Sequence, residues 1–330
     1  MKYTQKQRQE IAQIINDGID KAELGFAINH VTSDDILYKD FVPGLIGFAL
    51  GKYNPIKSIL NKLSKNRYKD FGQFHHFKNR NIALNIIQDK SIQLSSLLSN
   101  HQNDFAEYSE YYKRLGLFHQ LTPYNYAEQL SNKTYDPSER TPADDSRDNI
   151  FIICFTQDNH NEKFWEIYAD KDQHVSIGFK FLAFKDEFIG KYDFRDVFYD
   201  SGYSFEFLNY INFNLRQKFG KYLFVEGSTK FSTFYKRGLY NWENETRLKF
   251  HYDFNPLQNG ESLNKIFPIQ ELQGRRFIEI PLCGHVNVNP MFDLTISEVV
   301  CGNAVPKPDY ERLKDALKIN FPDAYIWQRP

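Results

Sequence analysis

Apolar residues at helical spacing mark the start of the chain. Four isoleucines occupy positions i, i+3, i+4 and i+8 of one helix face: Ile11, Ile14, Ile15 and Ile19. Thr4 and Gln7 precede them in the order of a capping box, so the pattern predicts a helix over about 5–20. Residues 41–66 have mixed polarity and are also predicted to be helical, with prolines as interruptions. We therefore predict a helical N-terminal extension over residues 1–70.

The pattern changes at Phe71 to short alternating or wholly apolar runs, which are typical of strands. Strands are predicted over 71–77, 91–97, 150–155, 175–181 and 244–252, and near 277–282 and 294–301. Helices are predicted after Asn79 or Asn81, over 164–169 and 204–222, and near 308–319, with a loop over 131–149. Short strands with short helices between them predict an α+β domain over residues 71–330.

The overall charge is close to neutral. Lys and Arg number 41 against 42 Asp and Glu, a net charge of -1, which excludes a uniformly basic nucleic-acid coat and an acidic disordered tail. The 3 cysteines lack C-x-x-C spacing, so we expect no disulfide framework or structural zinc cluster. The longest apolar run, 41–50, is about half of what crosses a bilayer, and the first residues lack the apolar segment of a signal peptide. We predict a cytoplasmic protein without a membrane partner.

Positive charge is concentrated in two regions. Residues 52–80 contain eight Lys or Arg and one Asp, and residues 214–249 contain eight Lys or Arg and three Glu. Aromatic residues are interspersed with these charges: Tyr68, Phe71, Phe74, Tyr222, Phe231, Phe234 and Tyr235. If the two regions meet in space they form a basic groove for a nucleic acid; otherwise they are solvated faces of helices.

Two carboxylates near residue 244 are candidates for catalysis. Glu243 and Glu245 are two residues apart on a predicted strand, which places both on one face at about 7 Å. Such a pair suits the stabilisation of a positively charged sugar transition state. The alternative is a surface strand in which Glu alternates with basic residues.

Two further groups of residues are candidates for binding. His75 and His76 lie at the end of a predicted strand, so one faces inward and the other outward, and either can hold a ribose hydroxyl. Thr156, at the end of another strand, can form the floor of a pocket for a flat ring together with Trp165 and Tyr168. The alternatives are a core or edge histidine and core aromatic residues.

Several common catalytic motifs are absent from the sequence. It contains no G-x-G-x-x-G, no G-x-x-x-x-G-K-[ST], no H-E-x-x-H and no G-x-S-x-G. P-loop ATPases, zinc hydrolases of the H-E-x-x-H type and serine hydrolases therefore have little support. The nine histidines do not pair with Cys or carboxylates at metal-binding spacing, and we predict no metal.

Three blocks of residues together resemble a known family. They are Ile92–Ser96 followed by Asn103-Asp104 and Glu107; Ile153–Thr156 followed by Trp165, Tyr168-Ala169-Asp170 and Ile177-Gly178-Phe179; and Trp242–Arg247. The blocks resemble a large bacterial family long described as a domain of unknown function, whose members share a CFS…W…YAD…GF run followed by W-x-x-E-x-E-W-R. Here Thr156 and Thr246 stand where the family has serine and the second tryptophan. The resemblance covers residues 71 to about 255.

The order of the blocks also resembles that of the ADP-ribosyltransferase fold. That resemblance implies a split antiparallel β-sheet core with flanking helices. It implies that His76 (or His75) holds a ribose of NAD, with Glu245 as the catalytic glutamate and Glu243 as the residue that orients the target. It further assigns these residues to the NAD site: Thr156 or Ser176 as the middle hydroxyl, Tyr168 and Trp165 near the nicotinamide, and Arg80 at the pyrophosphate.

Bacterial proteins of this fold include toxins of toxin–antitoxin and phage-defence systems. The resemblance therefore implies an NAD-dependent ADP-ribosyltransferase toxin, with NAD as substrate, no metal and an antitoxin protein as partner. The basic regions favour a nucleic-acid target, with RNA preferred over DNA. Three alternatives are an NAD glycohydrolase or other hydrolase that uses Glu243 and Glu245, a protein-directed ADP-ribosyltransferase, and a non-catalytic binding module.

Overall fold

The computed structural model describes residues 3–23, 25, 29–42, 45–49, 61–97, 149–199, 203–220, 233–236, 238–252 and 263–330. Its α-helices are α1 (Gln5–Lys21), α2 (Arg80–Asp89), α3 (Glu162–Ile167), α4 (Tyr203–Phe219), α5 (Leu263–Ile266) and α6 (Lys307–Asn320). Its strands are β1 (Leu37–Val42), β2 (Leu45–Ala49), β3 (Gln73–Lys78), β4 (Ser91–Ser96), β5 (Ile150–Thr156), β6 (Val175–Phe184), β7 (Tyr192–Asp196), β8 (Phe198–Tyr199), β9 (Tyr235–Lys236), β10 (Glu245–His251), β11 (Gln270–Leu272), β12 (Arg275–Pro281), β13 (Phe292–Cys301) and β14 (Tyr325–Gln328). Short 3-10 turns cover Ser33–Asp35, Asp186–Phe188 and Gly238–Glu243. No helix among the described residues is long and apolar enough to cross a membrane.

The chain divides into two compact units. The first takes residues 1–65, 101–141 and 197–241, and the second takes 66–100, 142–196 and 242–330. This division differs from the predicted one, because residues 197–241 group with the N-terminal region and not with the large sheet. The predicted motif around Asn103 to Glu107 and the predicted loop up to residue 148 lie outside the described residues.

Helix α1 begins as its sequence predicts. Thr4 Oγ1 accepts a hydrogen bond from the Gln7 amide at 3.2 Å, and Gln7 Oε1 accepts one from the Thr4 amide at 2.9 Å, which completes the capping box. Within the first unit α1 packs on α4, where a Cβ at Gly18 would lie 2.9 Å from Ile211 Cγ1. Close contact of these helices therefore depends on glycine at position 18.

The prediction of helix over 41–66 is wrong for its first part. β1 and β2 form an antiparallel pair in which Leu37 is opposite Ala49. Pro43 and Gly44 separate two apolar runs, and this dipeptide is a strong turn signal. Residues 61–63 are helical, and 50–60 lie outside the described residues.

The second unit is built on one large sheet with the order β11-β12-β4-β5-β3-β6-β13-β14, to which β10 and β7 are joined through β5. Its pairs are antiparallel except β13 with β14, so the α+β class is confirmed. The sheet forks at β5. One edge of β5 pairs with β10 along its whole length, while the other edge pairs with β4 at Phe151 and Ile152 and with β3 at Thr156.

The two faces of this sheet are covered differently. One face carries the main core, in which aromatic residues of the strands pack with apolar residues of α2 and α6: Phe74, Phe155, Phe179, Phe181, Phe194, Ala83, Ile87, Leu313 and Leu317. The other face carries α3, where Trp165 and Ala169 pack with Val300. Strands β6 and β10 are thus buried on both faces, although apolar and polar residues alternate along their sequences.

Candidate functional site

Direct pairing across the strands aligns five residues on the face that carries α3. Glu245 pairs with Thr156, Thr156 with His75, His75 with Gly178, and Gly178 with Glu298. Directly paired residues point to the same face of a sheet, and their Cα atoms are about 5 Å apart. We call these five residues the cross-strand row. The row places the Cα atom of Glu245 about 10 Å from the Cα atom of His75. His76, the next residue along β3, lies on the opposite face of the sheet.

Glu245 is the carboxylate at one end of the cross-strand row. It is 5 % exposed, and its oxygens accept hydrogen bonds from Arg247 Nε at 2.6 Å and Arg247 Nη2 at 3.2 Å. A buried charge is stable only when it is paired and hydrogen-bonded. Arg247 therefore fixes the position of the Glu245 carboxylate from the same strand.

Glu243 does not lie on the strand, which corrects the predicted spacing of the two carboxylates. It ends the 3-10 turn, and Asn244 after it has a left-handed φ of 42°, so strand alternation begins only at Glu245. Glu243 is nevertheless buried, and Tyr168 Oη donates a hydrogen bond to its Oε1 at 2.7 Å. The structure thus links two predicted site residues, although by a different geometry.

An aromatic surface lies beside Glu243. The rings of Tyr168 and Trp242 stack at 29° with centroids 6.2 Å apart, and Phe164 meets Trp242 edge-on at 5.2 Å. Lys163 Nζ lies 5.4 Å from the Trp242 ring centroid. Tyr168 is 46 % exposed, so this surface offers a flat face with a neighbouring positive charge.

Trp165 has a structural role. It is 1 % exposed, its Nε1 donates to the Asn159 carbonyl at 2.7 Å, and the guanidinium of Arg329 lies 4.6 Å above its ring. Trp165 and Tyr168 therefore do not form the predicted pocket floor together. Trp165 belongs to the core, whereas Tyr168 reaches the surface.

Both candidates for the middle hydroxyl are buried on the face of the cross-strand row. Thr156 lies between His75 and Glu245, and its Oγ1 accepts a hydrogen bond from the Asp158 amide at 3.1 Å. Ser176 Oγ lies 3.4 Å from His75 Nδ1. Thr156 is the hydroxyl next to the carboxylate, and Ser176 is the one next to the imidazole.

His75 is a buried imidazole in the middle of the row. Burial lowers its pKa to about 4, against the opposing effect of Glu298, whose Oε2 lies 3.9 Å from His75 Nε2. The ring is therefore neutral at pH 7 and can both donate and accept hydrogen bonds.

Glu298 is a buried carboxylate that the sequence analysis missed. It accepts hydrogen bonds from Trp327 Nε1 and Gln73 Nε2, both at 2.6 Å, and from Asn159 Nδ2 at 3.5 Å. A register shift in β13 between Ile296 and Glu298 turns this side chain away from the main core. The sequence contains one indication of this site, because Glu298 is the only charged residue in the predicted strand 294–301.

Gly178 makes room for this cluster. A Cβ at position 178 would lie 2.5 Å from Gln73 Nε2, 3.1 Å from Glu298 Cβ and 3.2 Å from His75 Cε1. Three polar side chains of the neighbouring strands therefore converge on the space that the missing side chain leaves.

His76 occupies the fork between β3 and β5. Its Nδ1 lies 2.7 Å from the Cys154 carbonyl, and its Nε2 is buried without a hydrogen-bond partner in the described part of the chain. Burial, with the positive charge of Lys78, lowers the pKa of His76 to about 3. His76 is thus neutral and one residue away from the cross-strand row, on its opposite face.

Arg80 is engaged elsewhere. Its Nε forms an ion pair with Asp309 Oδ2 on α6 at 2.7 Å, and its Nη1 lies 3.5 Å from the Gln173 carbonyl. Within the described ranges no hydrogen bond or ion pair joins Arg80 to His75, Glu243 or Glu245.

Many cations of the two basic regions are used inside the protein. Arg67 pairs with Asp196 and Asp70, and Lys69 pairs with Asp186. Three cations of the second region are buried: Lys236, Arg247 and Lys249. Arg216 and Lys218 are exposed, whereas Lys52, Lys221 and Lys230 lie outside the described residues. The basic groove therefore stays a prediction.

The described residues contain no group of three or more His, Cys, Asp or Glu placed to hold a metal ion. Comparison of the whole chain with known proteins gives no match to any protein-family model, any curated protein or any solved structure. The geometry of the site is therefore the basis for a functional assignment.

Proposed function

We propose that the protein is an NAD-dependent ADP-ribosyltransferase with an ADP-ribosyltransferase-like split sheet. The observation that carries this proposal is the cross-strand row, in which a neutral imidazole, a hydroxyl and a buried carboxylate follow one another on three adjacent strands: His75, Thr156 and Glu245. The fork of the sheet at β5, where one edge of the strand passes from β4 to β3, adds support because the resemblance implies a split sheet.

Glu245 would act on the ribose that carries nicotinamide. The bond between C1′ and the nicotinamide nitrogen breaks, and nicotinamide leaves with the bonding electrons. Positive charge then develops on the ribose, and a carboxylate that accepts a hydrogen bond from the 2′-hydroxyl stabilises this charge most in the transition state. Arg247 holds the carboxylate in place for this contact.

Glu243 would orient the acceptor. The acceptor nucleophile forms the new bond to C1′, and its proton passes to the Glu243 carboxylate as general base. The Tyr168 hydroxyl, which donates to Glu243, fixes the direction of that carboxylate.

The proposed acceptor is a nucleic acid, RNA in preference to DNA. The exposed Tyr168 ring, the stacked Trp242 and the nearby Lys163 form a surface on which an unpaired base can stack beside Glu243. A toxin with this activity would need an antitoxin partner in its own cell, in a toxin–antitoxin or phage-defence setting.

The test is incubation of the protein with labelled NAD and RNA, DNA or protein acceptors. Transfer of label to RNA is expected, and Glu245→Gln should reduce it by about 100- to 1,000-fold, the usual effect of losing one charge-stabilising group. Glu271→Gln is a matched control on the exposed strand β11. Free ADP-ribose without transfer would indicate a glycohydrolase, transfer to protein a protein-directed enzyme, and no consumption of NAD a binding module.

A further inference from the structure

The turn that follows α3 has a backbone conformation that its residues disfavour. Asp170, Lys171 and Asp172 all have left-handed φ angles, of 46°, 52° and 66°. Residues other than glycine adopt this region singly rather than in succession, because the side chain approaches the backbone too closely. Three such residues in a row persist only where their surroundings hold them. We call residues 170–172 the left-handed turn.

Arg329, directly after β14, connects the left-handed turn to α3. Its Nη1 donates a hydrogen bond to Asp172 Oδ1 at 2.7 Å, and its Nη2 forms an ion pair with Glu162 at the start of α3. Its guanidinium lies 4.6 Å from the centroid of the Trp165 ring, in the middle of the same helix. Its amide donates to the Cys301 carbonyl at 2.9 Å. One residue therefore fastens both α3 and the turn to the end of β13.

The backbone after β13 encloses the left-handed turn from another side. The Asp172 carbonyl oxygen accepts a hydrogen bond from the Ala304 amide at 3.2 Å, and a Cβ at Gly302 would overlap that oxygen. Gly302 does not itself have a positive φ, so glycine is required there for space. Gln328 Nε2 of β14 donates to the carbonyls of Gly302 and Val305, both at 3.1 Å. The turn is thus held by charge on one side and by close backbone contact on the other.

Helix α3 connects the left-handed turn to the candidate site. Tyr168 directly follows α3, its amide donates to the Phe164 carbonyl at 2.8 Å, and its hydroxyl donates to Glu243 Oε1 at 2.7 Å. The Asp172 amide returns to the Trp165 carbonyl at 3.3 Å, so the turn and Tyr168 belong to one hydrogen-bonded unit. We propose that residues 325–329 form a strap that holds the left-handed turn and thereby positions Tyr168 on Glu243. Its effect on acceptor transfer rests on the proposed function, whereas its effect on the turn does not.

The strap can be tested without catalysis by hydrogen exchange of single amides. Arg329→Met removes the charged contacts of the turn, and Gly302→Ala displaces the turn by steric overlap. In both variants we expect the amides of Asp172 and His174, which bond within this unit, to exchange about tenfold faster or more. The amide of Leu248, in the middle of β10, should exchange as in wild type.

Matched controls separate the strap from a general loss of charge or of glycine. Arg312→Met removes an exposed cation of α6, and Gly25→Ala adds a Cβ that meets nothing within 4 Å, so neither should change exchange in the left-handed turn. Arg329→Lys keeps the charge but not the two-pronged contact, and its effect should be intermediate. Exchange in the turn that is the same in wild type, Arg329→Met and Gly302→Ala would overturn the strap.

The position of Tyr168 has its own measurements. Because the Tyr168 ring stacks on Trp242, the NMR signal of the Trp242 indole N–H should shift in Arg329→Met and stay in place in Arg312→Met. With labelled NAD and RNA, Arg329→Met should lower transfer about fivefold more than NAD cleavage, the effect of one hydrogen bond, and should add little to Tyr168→Phe.

The outcomes distinguish the strap from the proposed function. An unmoved Trp242 signal, or equal losses of transfer and NAD cleavage in Arg329→Met, would show that the strap does not position Tyr168. Faster exchange in the turn together with a shifted Trp242 signal, in a protein that does not consume NAD, would leave the strap standing and remove the proposed function.

Discussion

Two buried carboxylates end the cross-strand row, and they are satisfied in different ways. Glu245 is paired with a cation two residues away on its own strand, Arg247. Glu298 is held by neutral donors from other parts of the chain, among them Trp327, Gln73, Asn159 and the Tyr325 hydroxyl.

The difference indicates which end can do chemistry. Glu298 is bound from several directions by side chains that are themselves fixed, so a ligand would have to break several contacts to reach it. Glu245 is paired with a cation of its own strand, and the side chain of Arg247 leaves the position of the carboxylate on the face of the row. Buried polar clusters that are fully satisfied make a core specific, and the Glu298 end of the row fits that structural role.

Loss of Arg247 should have the largest effect on the Glu245 end. Arg247→Met removes the ion pair and leaves a buried charge, so we expect the free energy of unfolding to fall by about 3–5 kcal/mol at pH 7. Urea unfolding measures the change. Arg247→Lys keeps a positive charge and should lose less, and adding Glu245→Gln to Arg247→Met should recover part of the loss. A variant as stable as wild type would show that the pair is not buried.

Loss of Glu298, at the other end of the row, should lower the free energy of unfolding nearly as much. Glu298→Ala leaves Trp327 Nε1 and Gln73 Nε2 without an acceptor, and we expect the free energy of unfolding to fall by about 2–3 kcal/mol from two unsatisfied, partly buried donors. The midpoint of chemical unfolding is the measurement. Glu298→Gln keeps one acceptor oxygen and should lose less than half as much. If alanine and glutamine were equally tolerated, the hydrogen bonds would not stabilise the fold.

Acidification should destabilise the folded protein through His75, the histidine between the two carboxylates. The pKa of His75 in the folded protein, about 4, is below its usual value of 6.5, so between these values the unfolded chain binds a proton that the folded chain does not. Above pH 6.5 His75 makes a constant contribution to the free energy of unfolding. As the pH drops from 6.5 towards 4, the free energy of unfolding falls by up to about 1.4 kcal/mol per pH unit.

This acid effect can be isolated by comparing histidine variants. His75→Gln should flatten the dependence of the unfolding free energy on pH, whatever its stability at pH 7. Parallel pH profiles for wild type and His75→Gln would contradict a neutral buried His75.

The smallest effect is expected at Tyr168, which touches the Glu243 carboxylate. Tyr168→Phe removes one hydrogen bond at a half-exposed ring, so we expect a loss of about 1 kcal/mol or less in stability. The same variant should lower acceptor transfer more than NAD cleavage, because only the orientation of Glu243 changes. Equal losses in both rates would show that Tyr168 acts elsewhere.

Local patterns in the sequence identified much of the large sheet. Seven strands were predicted close to their positions, because alternation and apolar runs are properties of a few neighbouring residues: β3, β4, β5, β6, β10, β12 and β13. β7, β11 and β14 were not predicted. The β1–β2 pair was misassigned because an apolar run interrupted by Pro-Gly fits either a broken helix or two short strands.

The candidate site was predicted only in part. The sequence identified Glu245, Thr156 and His75 as candidates and left His75 and His76 as alternatives, and the register of three strands places His75 with Glu245. The predicted face shared by Glu243 and Glu245 was wrong, since Asn244 adopts a left-handed conformation that no alternation rule anticipates. Trp165 was assigned to a pocket, but its indole is enclosed by α3 and β13.

By itself the sequence determined which segments are strands and which acids and histidines are available, because these depend on short-range patterns. The tertiary structure alone decided which of them meet. Glu245 and Glu298 lie at the two ends of one row because of strand order, register and a shift in β13, and His76 faces the Cys154 carbonyl because β5 forks beside it. Those features depend on the pairing of residues that are far apart in the chain, and a sequence pattern does not contain that pairing.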